Sequence, residues 1–493
     1  MIRLRRPKGV FLLVVILAVV TCVVIGWGMP RFGSAITGPL DTIPQFPAIV
    51  LAVCVALALA WFLWMVANPG VGLASMVLVI PLQQSVFGYP ALVISLLPVI
   101  ALGVCYFLSV AAKGAKIVLG SSLPQVLAVT VFGYSLFSLV LHINDEQGVL
   151  SLEQSLGALL MFLVVPIILR DRIRVSRAVY YLAGAAALVS ILGLLQKISP
   201  YDFNAYLCGY FCHGQGILES AQVSRINSVF YDTNHMANFL VTSLLICTPF
   251  ILARKPGVRR PVLVFVGLSL VLAAIFFSFS VSNWIALGIG VLIVWLFSSG
   301  KVKTRIAVVI LAVGLIVLLL SAYGVVGSSM LPESFRAKFA ALTGASHGLG
   351  ELEQGPLGSR AVLIRLGLEV FGRNPLFGMG PGSYSVLVGA SLGGGAPHSH
   401  NSYVLILAEL GIVGMLLLGL VIASVVVIGI RGIRATEDRS LRYLLIGALS
   451  AIFANLVFLF SYDLIMNDLS FWFAMGLTLA ASRLALGRTR VVH

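Results

Sequence analysis

The sequence predicts an all-α fold: a polytopic transmembrane bundle of about 12–14 spans with a long, partly helical loop on one face. Three observations carry that reading. Of 493 residues, 60% are hydrophobic and only 10% charged, and the mean hydropathy is +1.07. A water-soluble chain of this length needs far more charge to cover its surface. Apolar runs long enough to cross a hydrocarbon core recur from end to end, and they lack the alternation of a lipid-facing barrel strand. The net charge of +15 is concentrated in short runs between those segments.

The spans fall at roughly 9–29, 46–66, 69–86, 91–112, 118–141, 150–170, 178–196, 236–253, 261–280, 283–299, 304–325, 402–430, 443–462 and 466–486. The first follows "RLRRPK" but is long and lacks a small-residue cleavage site, so it reads as a retained span. The third is short, and without it the alternation of sides fails. "RLRRPK", "AAKGAK", "RDRIRVSR", "ARKPGVRR", "GKVKTR", "RGIRATEDRSLR" and the terminal "GRTR" then share one side. Positive residues gather on the cytoplasmic face, which puts both termini there. The basic excess is a topology signal with attraction to anionic membrane lipids, and it calls for no nucleic acid.

Two segments on the opposite face exceed simple turns, about 197–235 and 326–399. Long loops in compact proteins are functional or disordered, and these are rich in Gly, aromatic residues and isolated arginines, which favours order. The chain divides into N-terminal helices (1–200), central helices with the first loop (201–325), the large loop (326–399) and C-terminal helices (400–493). Within the large loop, "GSRAVLIRLGLEVFGRNP" reads as a helix capped by Ser359 and ended by Asn374-Pro375, and "GMGPGSY" follows as a forced turn. "GASLGGGAPHSH" is a flap or a linker.

Four of six cysteines, Cys22, Cys54, Cys105 and Cys247, lie in spans as packing residues. Cys208 and Cys212 in "CGYFC" admit a disulfide; a zinc site with His213 lacks a second ligand pair nearby.

Three positions on the loop face stand out chemically. Arg225 lies in "SRINSVFYDTNHMANFL", Arg360 near the start of the loop helix, and His400 just before the span at 402. Each alone reads as a solvated or interfacial residue. Together they suit a single purpose, since two guanidiniums can hold a diphosphate and an imidazole can take a proton from an attacking hydroxyl. From His400, Asn401 follows at once, and Gly411 and Gly414 complete H-N-x9-G-x-x-G. On a continuous helix His400 and Gly411 share a face, so the glycines would admit a neighbouring helix to the histidine's seam. Glu409 points the other way and reads as a structural pairing.

At these residues the sequence resembles a known family. "HNSYVLILAELGIVG" is similar to the H-N-x9-G-x-x-G signature of the O-antigen ligase and polymerase superfamily, membrane glycosyltransferases of the GT-C type. "SRINSVFYDTNHMANFL" and "GSRAVLIRLGLEVFGRNPLFGMGPGSY" are similar to two further segments of that family, and the resemblance covers about residues 220–460. Where the family often carries an arginine after serine, "FSFSVSNW" has Asn283, one anion contact fewer. The resemblance implies a multi-pass protein of the bacterial inner membrane with its site on the periplasmic face. The donor would be a glycan on undecaprenyl diphosphate, and the acceptor lipid A-core, another glycolipid or a growing glycan. Neither metal nor nucleotide-sugar cofactor is required. Arg225 and Arg360 would grip the diphosphate, His400 would act as base, and Asn401, Asn234, Tyr384 and Asp232 would contact sugar or orient the histidine. Asp463 and Asp468 are weaker candidates. Ligase and repeat-unit polymerase share these parts. A flippase of lipid-linked sugar is the reading from another class, but it would spread polar groups along the spans.

Overall fold

Backbone that crosses hydrocarbon must satisfy its own hydrogen bonds, and every apolar run seen in the structure has become a helix. The computed structural model describes residues 122–141, 146–198, 225–228, 230, 232–253, 260–298, 300, 356–392, 398–463 and 465–487, with 74, 77 and 80–82. The expected spans at 9–29, 46–66, 91–112 and 304–325, most of that at 69–86, the Cys208, Cys212 and His213 cluster, and the centre of "GASLGGGAPHSH" lie outside the described residues.

The helices are α1 (Leu123–Leu141), α2 (Glu146–Ile168), α3 (Arg172–Ile198), α4 (Thr233–Ala253), α5 (Arg260–Phe277), α6 (Val281–Phe297), α7 (Pro356–Arg373), α8 (Ser383–Ser391), α9 (Ser402–Ala435), α10 (Arg439–Phe458) and α11 (Leu469–Ala485). No strand occurs among the described residues. Five of them, α1, α3, α4, α9 and α10, are long and apolar enough to cross a membrane; α2, α5, α6 and α11 carry shorter apolar stretches. The chain is a polytopic helical membrane protein.

The centre of the bundle is α10, packed on α4, α6 and α11, with α2 and α9 also against α11, α1 against α9 and α3 behind α4. Small residues let these helices approach. A Cβ on Gly447 of α10 would sit 2.5 Å from the Leu245 carbonyl oxygen of α4, and one on Gly476 of α11 would sit 2.9 Å from Val165 Cβ of α2. A buried amide ladder ties α4 to α10 and α11. Asn238 Nδ2 donates to Asn455 Oδ1 (2.8 Å) and Asp468 Oδ2 (2.7 Å), and Asn455 Nδ2 donates to Thr242 Oγ1 (2.8 Å). Asp468 is therefore structural: its Oδ1 also caps α11 at Ser470 and Phe471.

Chemistry and charge separate along the bundle. The ends of α3, α5 and α10 and the starts of α4, α6, α9 and α11 meet at one end, where Arg225, Asp232, His400 and Asp463 lie. The other end holds the Arg172–Asp438 ion pair (2.7 Å) and Arg483, whose Nη2 donates to Gln125 Oε1 (2.9 Å).

The loop helix begins at Pro356, so Ser359 lies in its first turn and is not its cap; proline suits a helix start because its missing N–H has no intrahelical partner. It ends at Arg373, before Asn374-Pro375, and glycines 378, 380 and 382 turn the chain with φ of 73°, 91° and 79°. Then comes α8, a short helix where the residue pattern predicts only a turn. Tyr384, Val370, Val388 and Ala408 form a second small core joining α7, α8 and the first turns of α9.

The long helix α9 departs from expectation. Gly411 has φ 65° and ψ −167°, so α9 is two helical segments meeting at a break. The loop fills it. Met379 N and Gly380 N donate to the carbonyls of Ala408 and Glu409 (both 2.9 Å), while Ile412 N and Val413 N donate to the carbonyls of Pro375 and Leu376 (2.9 and 3.1 Å). A Cβ on Gly411 would collide with the Leu376 carbonyl, so the glycine admits this loop and not a neighbouring span. Gly414 faces the side chain of its own Leu410. Glu409, 8% exposed, accepts from Gly382 N at the start of α8 (2.9 Å). It is a structural pairing, with the loop backbone as partner.

Candidate active site

The turn before α9 presents His400. Its φ is 50°, a left-handed conformation that costs a non-glycine residue about 1–2 kcal/mol. Its neighbours enforce it. Asp463, whose side chain is 6% exposed, accepts Ser399 N (2.9 Å) and the Nδ1 of His398 (3.3 Å). Ser399 Oγ donates to the Asn401 carbonyl (3.0 Å), and Asn401 Oδ1 caps α9 at Tyr403 N and Val404 N (3.0 and 3.1 Å). Ser402 N and Oγ both donate to the Tyr462 carbonyl (2.8 and 2.6 Å), which stitches the turn to the α10–α11 connection. Because His400 precedes the helix and α9 is broken at Gly411, the shared helical face of His400 and Gly411 does not exist.

The imidazole of His400 is half-buried, and its Nδ1 is enclosed without a hydrogen-bond partner among the described residues. Burial lowers its pKa below the ordinary 6.5, with the charges of Arg360 and His398 acting the same way and Asp463 and Asp232 opposing. His398 behaves oppositely: its contact with Asp463 raises its pKa. Burial alone would raise the Asp463 carboxyl, but the two histidines hold it below the usual carboxylate range.

Tyr462 joins the two sides of the site. Its ring meets His400 (5.9 Å between centroids) and His235 (4.5 Å), both edge-on, and stacks on Phe458 (5.4 Å). Its hydroxyl bonds Asp232, and burial beside Asp232 and Asp463 raises its pKa well above the ordinary value. Asp232 also caps α4, Oδ1 accepting Asn234 N (2.6 Å) and His235 N (3.3 Å).

Arg225 is anchored from both sides. Nε donates to the Ser278 carbonyl (2.7 Å) between α5 and α6, and Nη2 to Asn234 Oδ1 (3.3 Å). Ser280 Oγ also donates to Asn234 Oδ1 (2.8 Å), and Asn283 Nδ2 donates to the Asn234 carbonyl (3.0 Å). Asn283, fully buried, therefore braces the arginine's partner. Two more left-handed residues, Ser228 (φ 54°) and Phe279 (φ 50°), flank this node, and Gln196 holds the first through Ser228 N (2.8 Å). Strained backbone of this kind gathers where function over-determines geometry.

Arg360, in the second turn of α7, reaches the same region: its charge acts on both His400 and Tyr462. Among the described residues no hydrogen bond or ion pair engages its guanidinium. Tyr384 is elsewhere. It is fully buried and its hydroxyl donates to the Leu363 carbonyl of α7 (2.9 Å), which leaves it no surface for a sugar.

Tyr462 and His235 are not evident from sequence, and Asp463 is only a weaker candidate there, yet all three belong to the site. Both ring nitrogens of His235 are enclosed without a partner among the described residues. The one sequence signal for it is its place in "YDTNH", directly before the span expected at 236.

Histidines, carboxylates and two arginines thus gather at one end of a helical membrane bundle. Residues 265–419, about a third of the chain, match the family model described as Wzy_C: O-Antigen ligase, in line with the resemblance to the O-antigen ligase and polymerase superfamily. This supports a membrane glycosyltransferase acting on lipid-linked glycans in general terms. Among solved structures, a chain from "Structural coordination of polymerization and crosslinking by a peptidoglycan synthase complex" is similar over 74% of this chain and 98% of that one, at 16% identity and a TM-score of 0.41. No curated protein matches the chain.

Proposed function

We propose that this protein transfers a glycan from undecaprenyl diphosphate to an acceptor hydroxyl, as an O-antigen ligase does, at the periplasmic face of the bacterial inner membrane. The observation that carries the reading is Arg360, a guanidinium with no protein partner among the described residues, acting electrostatically on His400. Arg360 and Arg225 bind the diphosphate and stabilise the charge that grows on it as the glycosidic bond breaks. His400, neutral at physiological pH because its pKa is lowered, accepts the proton of the attacking hydroxyl. Asp463 and Tyr462 hold that imidazole in place. Asp232 and Asn234 align the first loop, and Asn401 sets the helix start behind the histidine. The lipid diphosphate is already a leaving group, so neither metal nor nucleotide sugar enters the scheme.

The acceptor distinguishes ligase from polymerase, and lipid A-core is the acceptor proposed. Purified protein in liposomes, given its lipid-linked glycan with and without lipid A-core, should yield one acceptor-dependent product. A product ladder without acceptor would make it a repeat-unit polymerase. His400→Ala should lower turnover by about 10²–10⁴-fold and Arg360→Ala by about 10²–10³-fold. If both variants match the wild type, the catalytic reading fails and movement of lipid-linked sugar becomes the activity to assay.

A further inference from the structure

The loop that fills the break in α9 ends in an apolar tip. Leu376 and Phe377 are 56% and 54% exposed, although the carbonyls of residues 374–377 all accept hydrogen bonds. Asn374 accepts Gly378 N (2.8 Å), Leu376 accepts Val413 N (3.1 Å), and the Phe377 carbonyl accepts the Tyr134 hydroxyl of α1 (2.9 Å). The tip is therefore fixed in place, with its two side chains turned outward.

Two independent rulers give its depth. Ile412 lies 19 residues before Arg431, the first of the arginines that mark the far end of α9. That is about 29 Å of helix, against a hydrocarbon core of about 30 Å. The break thus falls at the near edge of the apolar layer, and Pro375 and Leu376 are bonded to the residues there. On α1, Tyr134 lies seven residues inside the helix end at Leu141, about 10 Å along its axis, and still reaches the Phe377 carbonyl. Neither ruler lets the tip stand in water above the membrane. Its surroundings agree, since Ile412 and Leu416 of α9 and Phe137 of α1, all apolar, are exposed at 40%, 62% and 59%.

We infer that the turn 375–377 is a membrane anchor: Leu376 and Phe377 sit among bilayer acyl chains at the hydrocarbon edge and continue the lipid-facing surface of α1 and α9. Bare carbonyls at that depth are excluded from lipid, and the hydrogen bonds from α1 and α9 satisfy those of residues 375–377. The occupant is bilayer lipid rather than a second copy, because the patch continues the exposed apolar faces of α1 and α9, two helices long and apolar enough to cross a membrane. The inference depends on the membrane bundle and not on the transfer chemistry.

A nitroxide at Phe377→Cys, in the full-length protein with its native cysteines replaced and reconstituted in phosphatidylcholine vesicles, tests it. Power saturation should show the label colliding with oxygen in preference to a water-soluble nickel chelate. A label at Arg373→Cys, exposed four residues earlier, should show the reverse. A label at Leu376→Cys repeats the measurement without altering Phe377. Preference for the chelate at 376 and 377 would overturn the anchor, as would shielding from both reagents, which would mean that another protein surface covers the tip.

Discussion

His400 pays for its left-handed backbone through Asp463, and that coupling has measurable consequences at the scale of single side chains. Asp463 raises the pKa of His400 against the burial that lowers it. Asp463→Asn keeps an oxygen for Ser399 N but removes the charge, so the acid limb of the transfer rate should move to lower pH, measured as kcat/KM between pH 4.5 and 8. In the parent, that limb should fall below the ordinary imidazole value of about 6.5. The His398–Asp463 pair gives a second profile. The raised pKa of His398 contributes stability that is complete below about 6.5 and lost as pH rises through its folded value. The depressed Asp463 contributes above about 3.9 and is lost as pH falls. The protection this pair adds across residues 398–403, read as the difference in amide exchange between wild type and His398→Ala at each pH, should therefore be largest between about pH 4 and 6.5. The histidine and asparagine were legible because they adjoin a helix start. Tyr462 and His235 were not, because an edge-on ring contact between residues more than 200 positions apart leaves no trace in spacing.

At the scale of elements, the bounds of the described spans were legible to within about six residues, since apolar length and the flanking prolines and arginines set them. The break in α9 was not. "AELGIVG" has helical periodicity throughout, and the groups that complete its hydrogen bonds come from a loop some thirty residues upstream. Gly411→Ala should thus do more than an ordinary glycine change in a helix. It forces a Cβ into the Leu376 carbonyl at a positive φ, a penalty of about 1–3 kcal/mol. Tryptic cleavage after Arg365 and Arg373 should accelerate while the far end of the bundle stays resistant. Gly414→Ala escapes the positive φ, but its Cβ would sit 2.2 Å from Leu410 Cβ, an atom fixed to the backbone, so it too should destabilise the break. Tyr384→Phe removes one hydrogen bond from a full core and should cost about 0.5–1.5 kcal/mol. If it also lowers turnover while KM stays unchanged, the α7–α8 contact is what holds Arg360 near His400.

For the whole molecule, alternation of apolar runs with basic runs was enough to read a bundle, and the separation of charge from chemistry along its axis follows that alternation. Which helices touch was not readable, because each span is apolar all round and the partner is chosen by small residues and a few buried amides. Asn455 is the clearest of these: Asn455→Ala strands Asn238 and Thr242 in the core and should cost about 1–3 kcal/mol, read as a lower unfolding temperature in detergent. The exchange of backbone bonds at the α9 break also sets an order of assembly. Residues 375–380 leave the ribosome before 408–413, and at about 5–20 residues per second the interval is a few seconds. Until α9 arrives, Met379 and Gly380 have only water to bond, and α9 cannot enter lipid with the carbonyls of Ala408 and Glu409 bare. The arginine helix α7 is thus parked outside the membrane during synthesis, and the site closes last. A chain ending at residue 400 should insert its earlier spans yet leave α7 open to protease.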